Sequence, residues 1–292
     1  MELVPAVSAS RQTSRTLLFV LAIWALASFF VFFWRLDASA IPNWDEGKHA
    51  IITHQMRLSG DWLTLTFLGS DYFRKPPLSF WIRGSVENVF GESEWTIRLP
   101  SALAGLGTVI VLGLWAWQWR RRFTDVNLTL LVFLTSRFAV YHTYRTGEPD
   151  GLLGLFLLLA LFCFWRSWSD PRWLVWGSGV TGLAVMTKSV SGLMAALVWV
   201  LALVWLRRWP YRWRHVLLSA AVFLALVAPW HAVEIFRHGQ QFIHNYFGLD
   251  VVERATVRLA GSPQVHGLMW YVKVIFRDLF PWGGFLLPAI AL

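Results

Sequence analysis

Two adjacent carboxylates, Asp45 and Glu46, lie in the stretch Ile41-Pro42-Asn43-Trp44-Asp45-Glu46-Gly47-Lys48-His49, directly after the first long apolar run of the chain. Charge at membrane depth costs kilocalories unless it faces water, protein or a ligand, so acids at this point call for a use. Asp45 is the candidate for a general base. Glu46 has a rival structural role: Asn43 with Glu46 three positions on is a capping-box pattern, opening a helix that runs to about Leu58. The pair does not fit a glycosidase acid and nucleophile, because sequence neighbours on a helix do not face each other across a substrate.

The candidate cations follow at a distance. Lys75 stands before Pro76-Pro77, which suits the first turn of a helix, and a fixed cation beside free backbone N–H groups makes an anion site. Lys188 interrupts an apolar stretch where a lysine has little structural reason to be. Arg145 and Asp150 share a short turn and can pair with each other. His231, His244 and His266 have no metal-ligand spacing. The acids could hold a divalent cation, but no ligand pattern singles one out, so no cofactor is assigned. One base and several cations suit transfer of a group from a lipid phosphate. A phosphate leaving group needs its charge held rather than a general acid, while the carboxylate deprotonates the acceptor hydroxyl.

The elements that position these groups are membranous. The 292 residues are 56% hydrophobic and only 15% charged, and the apolar residues fall in long blocks, so the solvent is a bilayer. The net charge of +9 does not indicate nucleic acid, because most arginines sit in short connectors between apolar blocks and report orientation. A single cysteine, Cys163, excludes an intrachain disulfide.

Residues 1–15 form a polar cytoplasmic N-terminus, and Thr16 to Trp34 is a first span. Ala38-Ser39-Ala40 resembles a signal cleavage site, but the apolar run is longer than in such peptides, so the helix is read as uncleaved. Residues 35–97 form a first external loop with two amphipathic interfacial helices. The second of these carries Leu78, Trp81, Ile82, Ser85, Val86, Val89 and Phe90 on an apolar face turned to the membrane, and Ser79, Arg83, Glu87 and Asn88 opposite. Leu99–Trp119 ends at Arg120-Arg121-Arg122, a cytoplasmic exit, and Val126–His142 and Gly151–Trp165 follow as further spans. Val175–Leu206 as one helix would be ~48 Å long, too long for the core. Breaking it at Lys188 makes two spans and keeps Arg207, Arg208, Arg212 and Arg214 on the arginine-rich side. Val216–Ile235, a second external loop 236–268 and a span Met269–Leu292 complete an all-α bundle of about eight spans, residues 16–292. By parity the acids, lysines and histidines named above share the outer side.

The motifs Trp44-Asp45-Glu46-Gly47, Tyr72-Phe73-Arg74-Lys75-Pro76-Pro77-Leu78-Ser79-Phe80-Trp81 and Thr187-Lys188 resemble the bacterial membrane glycosyltransferases of the protein O-mannosyltransferase and lipid A aminoarabinose transferase type, in the C-type glycosyltransferase superfamily. Asn245-Tyr246-Phe247, Arg254, His266, Trp270-Tyr271 and Phe280-Pro281-Trp282 extend the likeness along nearly the whole chain. The resemblance implies an undecaprenyl-phosphate-linked sugar donor, a lipid, glycan or protein acceptor, and inverting transfer at the periplasmic face of the inner membrane. It places the catalytic base on Asp45, the phosphate-contacting lysine on Lys75 and the second external acid on Asp150. Glu46 joins the catalytic set, Arg145, Lys188 and Arg254 join the donor-phosphate set, and His266 supports them. Ser189 and Val251 depart from the usual glycine and histidine of the family, and members usually continue with several more helices. The rival readings are a transporter or flippase of a lipid-linked anion, which would concentrate charge near the midplane, and a non-catalytic or truncated subunit that completes its site with a partner membrane chain.

Overall fold

The computed structural model describes residues 11–42, 45–253, 267–285 and 288. Its long apolar runs are helices: α1 (Arg11–Phe33), α4 (Glu94–Arg120), α5 (Phe123–Thr135), α6 (Asp150–Arg166), α7 (Arg172–Lys188), α8 (Met194–Trp205) and α9 (Trp213–Ile243). Between α1 and α4 lies a polar cap made of α2 (Asp45–Ser59), a two-residue hairpin of β1 (Thr66–Phe67) and β2 (Ser70–Asp71), and α3 (Leu78–Phe90). The hairpin pairs Thr66 with Asp71 and Phe67 with Ser70. Its turn residues Leu68 and Gly69 both have positive φ, as a tight hairpin of matching twist requires.

Two of the apolar clusters among the described residues hold most of the bundle. Phe32, Ala104, Val109, Leu130, Leu134 and Tyr144 join α1, α4 and α5 to the following connector, and Ala160, Phe164, Leu174, Trp199 and Leu203 join α6, α7 and α8. Elsewhere the helices show large apolar side chains outward, such as Phe19, Phe29 and Phe30 on α1 and Leu201 and Val204 on α8. A chain that exposes this much aliphatic and aromatic surface is matched to lipid.

The 34-residue apolar stretch Arg172–Trp205 is folded back on itself. Leu174 and Leu203 meet in one cluster, so the chain reverses between them, and the break falls at Lys188–Ser189, where Ser189 has φ 53°. The 3₁₀ turn Ser189–Leu193 then lies on the last turn of α7 so closely that a Cβ on Gly192 would stand 2.2 Å from the backbone N of Val185. Only glycine fits that approach.

One expectation is corrected. Met269–Leu292 is not one helix over its described part: α10 (Leu268–Asp278) stops before Pro281 and gives way to a short 3₁₀ turn, Trp282–Phe285. The backbone N–H of Arg137 donates to Phe280 O (3.0 Å) and Trp282 Nε1 to Thr135 Oγ1 (2.8 Å), so this segment ends beside the end of α5. Lys273, Arg277 and Asp278 make α10 amphipathic rather than spanning, and Pro281 lacks the N–H a continuing helix needs. In α3 the buried stripe is Ser79, Phe80, Arg83, Gly84 and Glu87, while Val89 and Phe90 are exposed. The expected two faces are present: Ser79, Arg83 and Glu87 pack on the protein, where the charges find partners, while Asn88, Val89 and Phe90 are exposed.

Candidate functional site

α2 begins with Asp45 and Glu46, acids that complement the positive end of the helix. Their side chains part ways at once. Asp45 is exposed, whereas Glu46 is buried and clasped: Arg98 of α4 donates to it through Nε (2.8 Å) and Nη2 (3.2 Å), and the backbone N–H of Gly147 donates to Oε1 (2.7 Å). Arg98 also donates through Nη1 to Leu36 O (2.8 Å) and Ser39 O (2.9 Å). This buried pair ties the end of the first helix, the start of α2, α4 and the connector 144–149 into one unit. Its full pairing is what makes the burial tolerable. Asn43, the partner in the expected capping box, lies outside the described residues.

A second buried cation holds the same connector from the other side. Arg83 of α3 donates to Gly147 O and to Thr53 Oγ1 (3.4 Å), and burial pulls its guanidinium down to about 10. Gly147 is therefore gripped at both N–H and C=O, and a Cβ there would lie 2.5 Å from Ile97 Cγ2. The connector is thereby fixed, and with it Glu148 and Asp150.

Around this clasp the charges sort into two neighbouring sets. The buried imidazole of His49 is pushed down to about 3, first by burial and then by the positive charges of Arg83, Lys75, Lys48 and Lys188 in its neighbourhood. Lys48 Nζ lies 4.9 Å from the centre of the Tyr72 ring. On the other side, Glu148 is raised above the usual carboxylate range by burial, with Asp150 and Asp45 adding repulsion and His142 and Lys188 opposing it. Lys188 joins the two sets, with Nζ 2.6 Å from Asp150 Oδ1. Between the residues that follow α1 and the connector is a cavity of about 760 Å³, lined among others by Glu46, Arg98, His142, Arg145, Thr146 and Glu148.

His49 offers a prediction. Its unfolded-state value near 6.5 lies far above its folded one, so the unfolded chain takes up the proton first as pH falls. Stability that is complete above pH ~6.5 should fall by up to about 1.4 kcal/mol per pH unit below it, and His49→Phe should flatten that slope in thermal-inactivation midpoints measured from pH 7 to pH 4.5.

The structure brings Asp45, Glu46, Lys75, Asp150 and Lys188 to one end of the bundle. Arg145 comes to that end too but does not pair with Asp150. It donates to the carbonyls of Val31 (2.5 Å) and Trp34 (2.8 Å), closing the end of α1, where helix carbonyls lack partners. Arg254 and His266 lie outside the described residues. Arg98, Arg83, His49 and Glu148 were not picked out as site residues. An arginine inside Thr96-Ile97-Arg98-Leu99, at the head of an apolar run, carries the same signal as Lys188 and could have been found by it. Among the described residues no group of three or more His, Cys, Asp or Glu could hold a metal ion.

The arginine-rich connectors gather at the opposite end. Arg166 Nη1 donates to Gln118 Oε1 (2.9 Å), and Tyr211 Oη lies 2.6 Å from Ser167 Oγ, so the ends of α4 and α6 and the connector before α9 are neighbours.

A family model described as dolichyl-phosphate-mannose-protein mannosyltransferase matches residues 74–232. The undecaprenyl phosphate-alpha-4-amino-4-deoxy-L-arabinose arabinosyl transferase of Erwinia tasmaniensis is 30% identical over 269 residues, covering 87% of this chain and 47% of that protein. The enzyme of the same name from Aeromonas salmonicida is 30% identical over 280 residues, covering 91% and 50%. The chain spans about half the length of the curated relatives it matches. Its fold is similar to that of ArnT from Cupriavidus metallidurans bound to undecaprenyl phosphate, with TM-score 0.81 and 24% identity over 93% of this chain and 50% of that one. The archaeal oligosaccharyltransferase AglB from Archaeoglobus fulgidus, solved with an inhibitory peptide and a dolichol-phosphate, is more distant, with TM-score 0.54 and 13% identity over 97% of this chain and 37% of that one.

Proposed function

Because the chain belongs to the dolichyl-phosphate-mannose-protein mannosyltransferase family, we propose that it carries the donor end of a glycosyltransferase that takes a sugar from an undecaprenyl-phosphate carrier and passes it to a hydroxyl or phosphate acceptor. The observation that supports this most directly is the meeting of Lys48, Lys75 and Lys188 with Asp45, Glu148 and Asp150 at one end of the bundle. The lysines suit the phosphodiester of the donor and the lipid phosphate that leaves, and the acids suit an acceptor proton. In the reaction, Asp45 accepts the proton of the acceptor oxygen as that oxygen bonds to the anomeric carbon. The bond from that carbon to the phosphate oxygen breaks, and the lipid phosphate leaves with the electron pair, its charge held by the lysines. Glu46 orders the start of α2 through Arg98, and Asp150 orients Lys188. Arg145 shapes the cavity wall. Arg254, His266 and a divalent cation remain part of the proposal. The acidic half suits a sugar that carries an ammonium, as in the aminoarabinose of the relatives' name.

The reading includes a topology. The arginine-bearing end faces the cytoplasm and the site faces the periplasm of the inner membrane, with α2, α3 and α10 lying in the outer interface and the remaining helices crossing.

Incubation of purified protein with radiolabelled undecaprenyl-phosphate-aminoarabinose and candidate acceptors tests this. Free lipid phosphate together with a labelled acceptor is the expected result. Movement of intact donor across a vesicle membrane without cleavage would replace the enzyme by a carrier. Lys188→Met should lower kcat/KM for the donor by about tenfold to a hundredfold, the worth of one hydrogen bond to a charged group, while Lys188→Arg keeps most of it.

A further inference from the structure

A second cavity lies at the arginine-bearing end of the bundle, away from Asp45, Glu148 and Asp150. α8 and α9 follow each other along the chain and yet make almost no contact. The gap between them is a cavity of about 340 Å³ that is open to the side, backed by α7 and walled by Leu174, Ala196, Trp199, Leu203, Val216 and Phe223. Its one end is closed by Tyr211, whose hydroxyl is already satisfied by Ser167 Oγ (2.6 Å) and Trp199 Nε1 (3.0 Å).

Two independent features point to what fills it. Ser219 lines the cavity with a hydroxyl that is buried and has no hydrogen-bond partner, although a helical serine can usually donate to the carbonyl four residues back. Four arginines, Arg207, Arg208, Arg212 and Arg214, flank the lining residues Trp209 and Tyr211 along the chain, and none of their guanidinium groups has a protein partner among the described residues. From Arg214 to Ser219 the helix rises about 7.5 Å. That is the order in which a phospholipid presents its groups to a protein: anionic phosphate at the surface, ester carbonyl below it, acyl chain below that.

We propose that this gap is a binding site for an anionic diacyl phospholipid of the leaflet on the arginine side. One acyl chain fills the space between α8 and α9, an ester carbonyl accepts from Ser219 Oγ, and the phosphate lies among the four guanidinium groups. Basic pockets between membrane helices recognise such headgroups through charge, so a phospholipid of the same chains with a neutral headgroup binds less well. The lipid would join α8 to α9.

The test titrates the purified full chain in detergent with dioleoylphosphatidylglycerol, with dioleoylphosphatidylethanolamine and, separately, with a polyprenyl monophosphate, and counts bound lipid by native mass spectrometry. Phosphatidylglycerol should bind in preference to phosphatidylethanolamine. The double variant Arg212→Gln/Arg214→Gln should weaken phosphatidylglycerol about thirtyfold, a factor of about five for each charge, and leave phosphatidylethanolamine unchanged. Ala220→Phe, which fills the gap, should abolish retention of phosphatidylglycerol. Arg207→Gln/Arg208→Gln, in the connector rather than in a helix, repeats the charge test should the first pair fail to fold. Equal binding of the two phospholipids, or indifference to both arginine pairs, would overturn the proposal. So would displacement of phosphatidylglycerol by the polyprenyl phosphate with the same arginine dependence, which would assign the gap to the donor's tail.

Discussion

Asp45→Asn should reduce sugar transfer about a thousandfold, with the protein inserted and folded as before. The expectation rests on the different situations of two adjacent acids. Asp45 is exposed at the first turn of α2, at the end of the bundle where Glu148, Asp150 and Lys188 converge, so its carboxylate is available to an incoming acceptor. Removing a general base costs about 10²–10⁴ in rate, whereas losing a first-turn acid from a helix costs only a few tenths of a kcal/mol in stability. Rate and stability therefore separate cleanly at this position. Glu148→Gln is the matching control, since Glu148 stands next to Asp45 and is held above the usual carboxylate range by burial. Full activity in Asp45→Asn with loss in Glu148→Gln would move the base to the connector.

The second large effect is on folding. Arg98→Ala should destabilise the protein by about 3–5 kcal/mol, because it leaves the Glu46 carboxylate buried without its cation and strips donors from the carbonyls of Leu36 and Ser39. Glu46→Gln should also destabilise, since it leaves the Arg98 guanidinium buried without its anion and turns an amide NH2 toward Arg98 Nη2, although the amide oxygen can still accept from the N–H of Gly147. Combining Arg98→Met with Glu46→Leu should cost less than the sum of the two single changes, as removal of both partners leaves no orphaned charge. Thermal midpoints in detergent, measured for all of these variants, would show it. Additive losses would mean that the pair is not coupled. Because the clasp also positions Gly147, the variants that fold should lose transfer activity through displacement of Glu148 and Asp150.

The packing of α3 shows why an amphipathic pattern is read differently beside a bilayer. Periodicity identifies two faces, and in water the apolar one turns inward. Here lipid accepts Val89 and Phe90, so the decisive cost is that of an unpaired charge, and Arg83 and Glu87 turn toward the protein. Arg57 completes this arrangement by donating to Glu87 from α2 (3.3 Å) and to Glu92. The same reasoning separates Lys188 from Arg145. Both are cations at the outer end, but Lys188 meets a carboxylate and Arg145 meets the free carbonyls at the end of α1.

From the sequence alone come the helical class, the apolar runs, the reversal at Lys188 and the grouping of Asp45, Lys75, Asp150 and Lys188 away from the arginine-rich connectors. These follow from rules that act locally or by simple alternation: an apolar run makes a helix, its length limits what it can cross, and successive crossings exchange sides. Which partner each charge takes was decided only by the tertiary structure. Glu46 and Arg98 are 52 positions apart and Lys188 and Asp150 are 38 apart, and no local pattern links either pair. Pairing in a medium that solvates neither ion depends on which groups packing brings within a few ångströms, and that is a property of the assembled bundle.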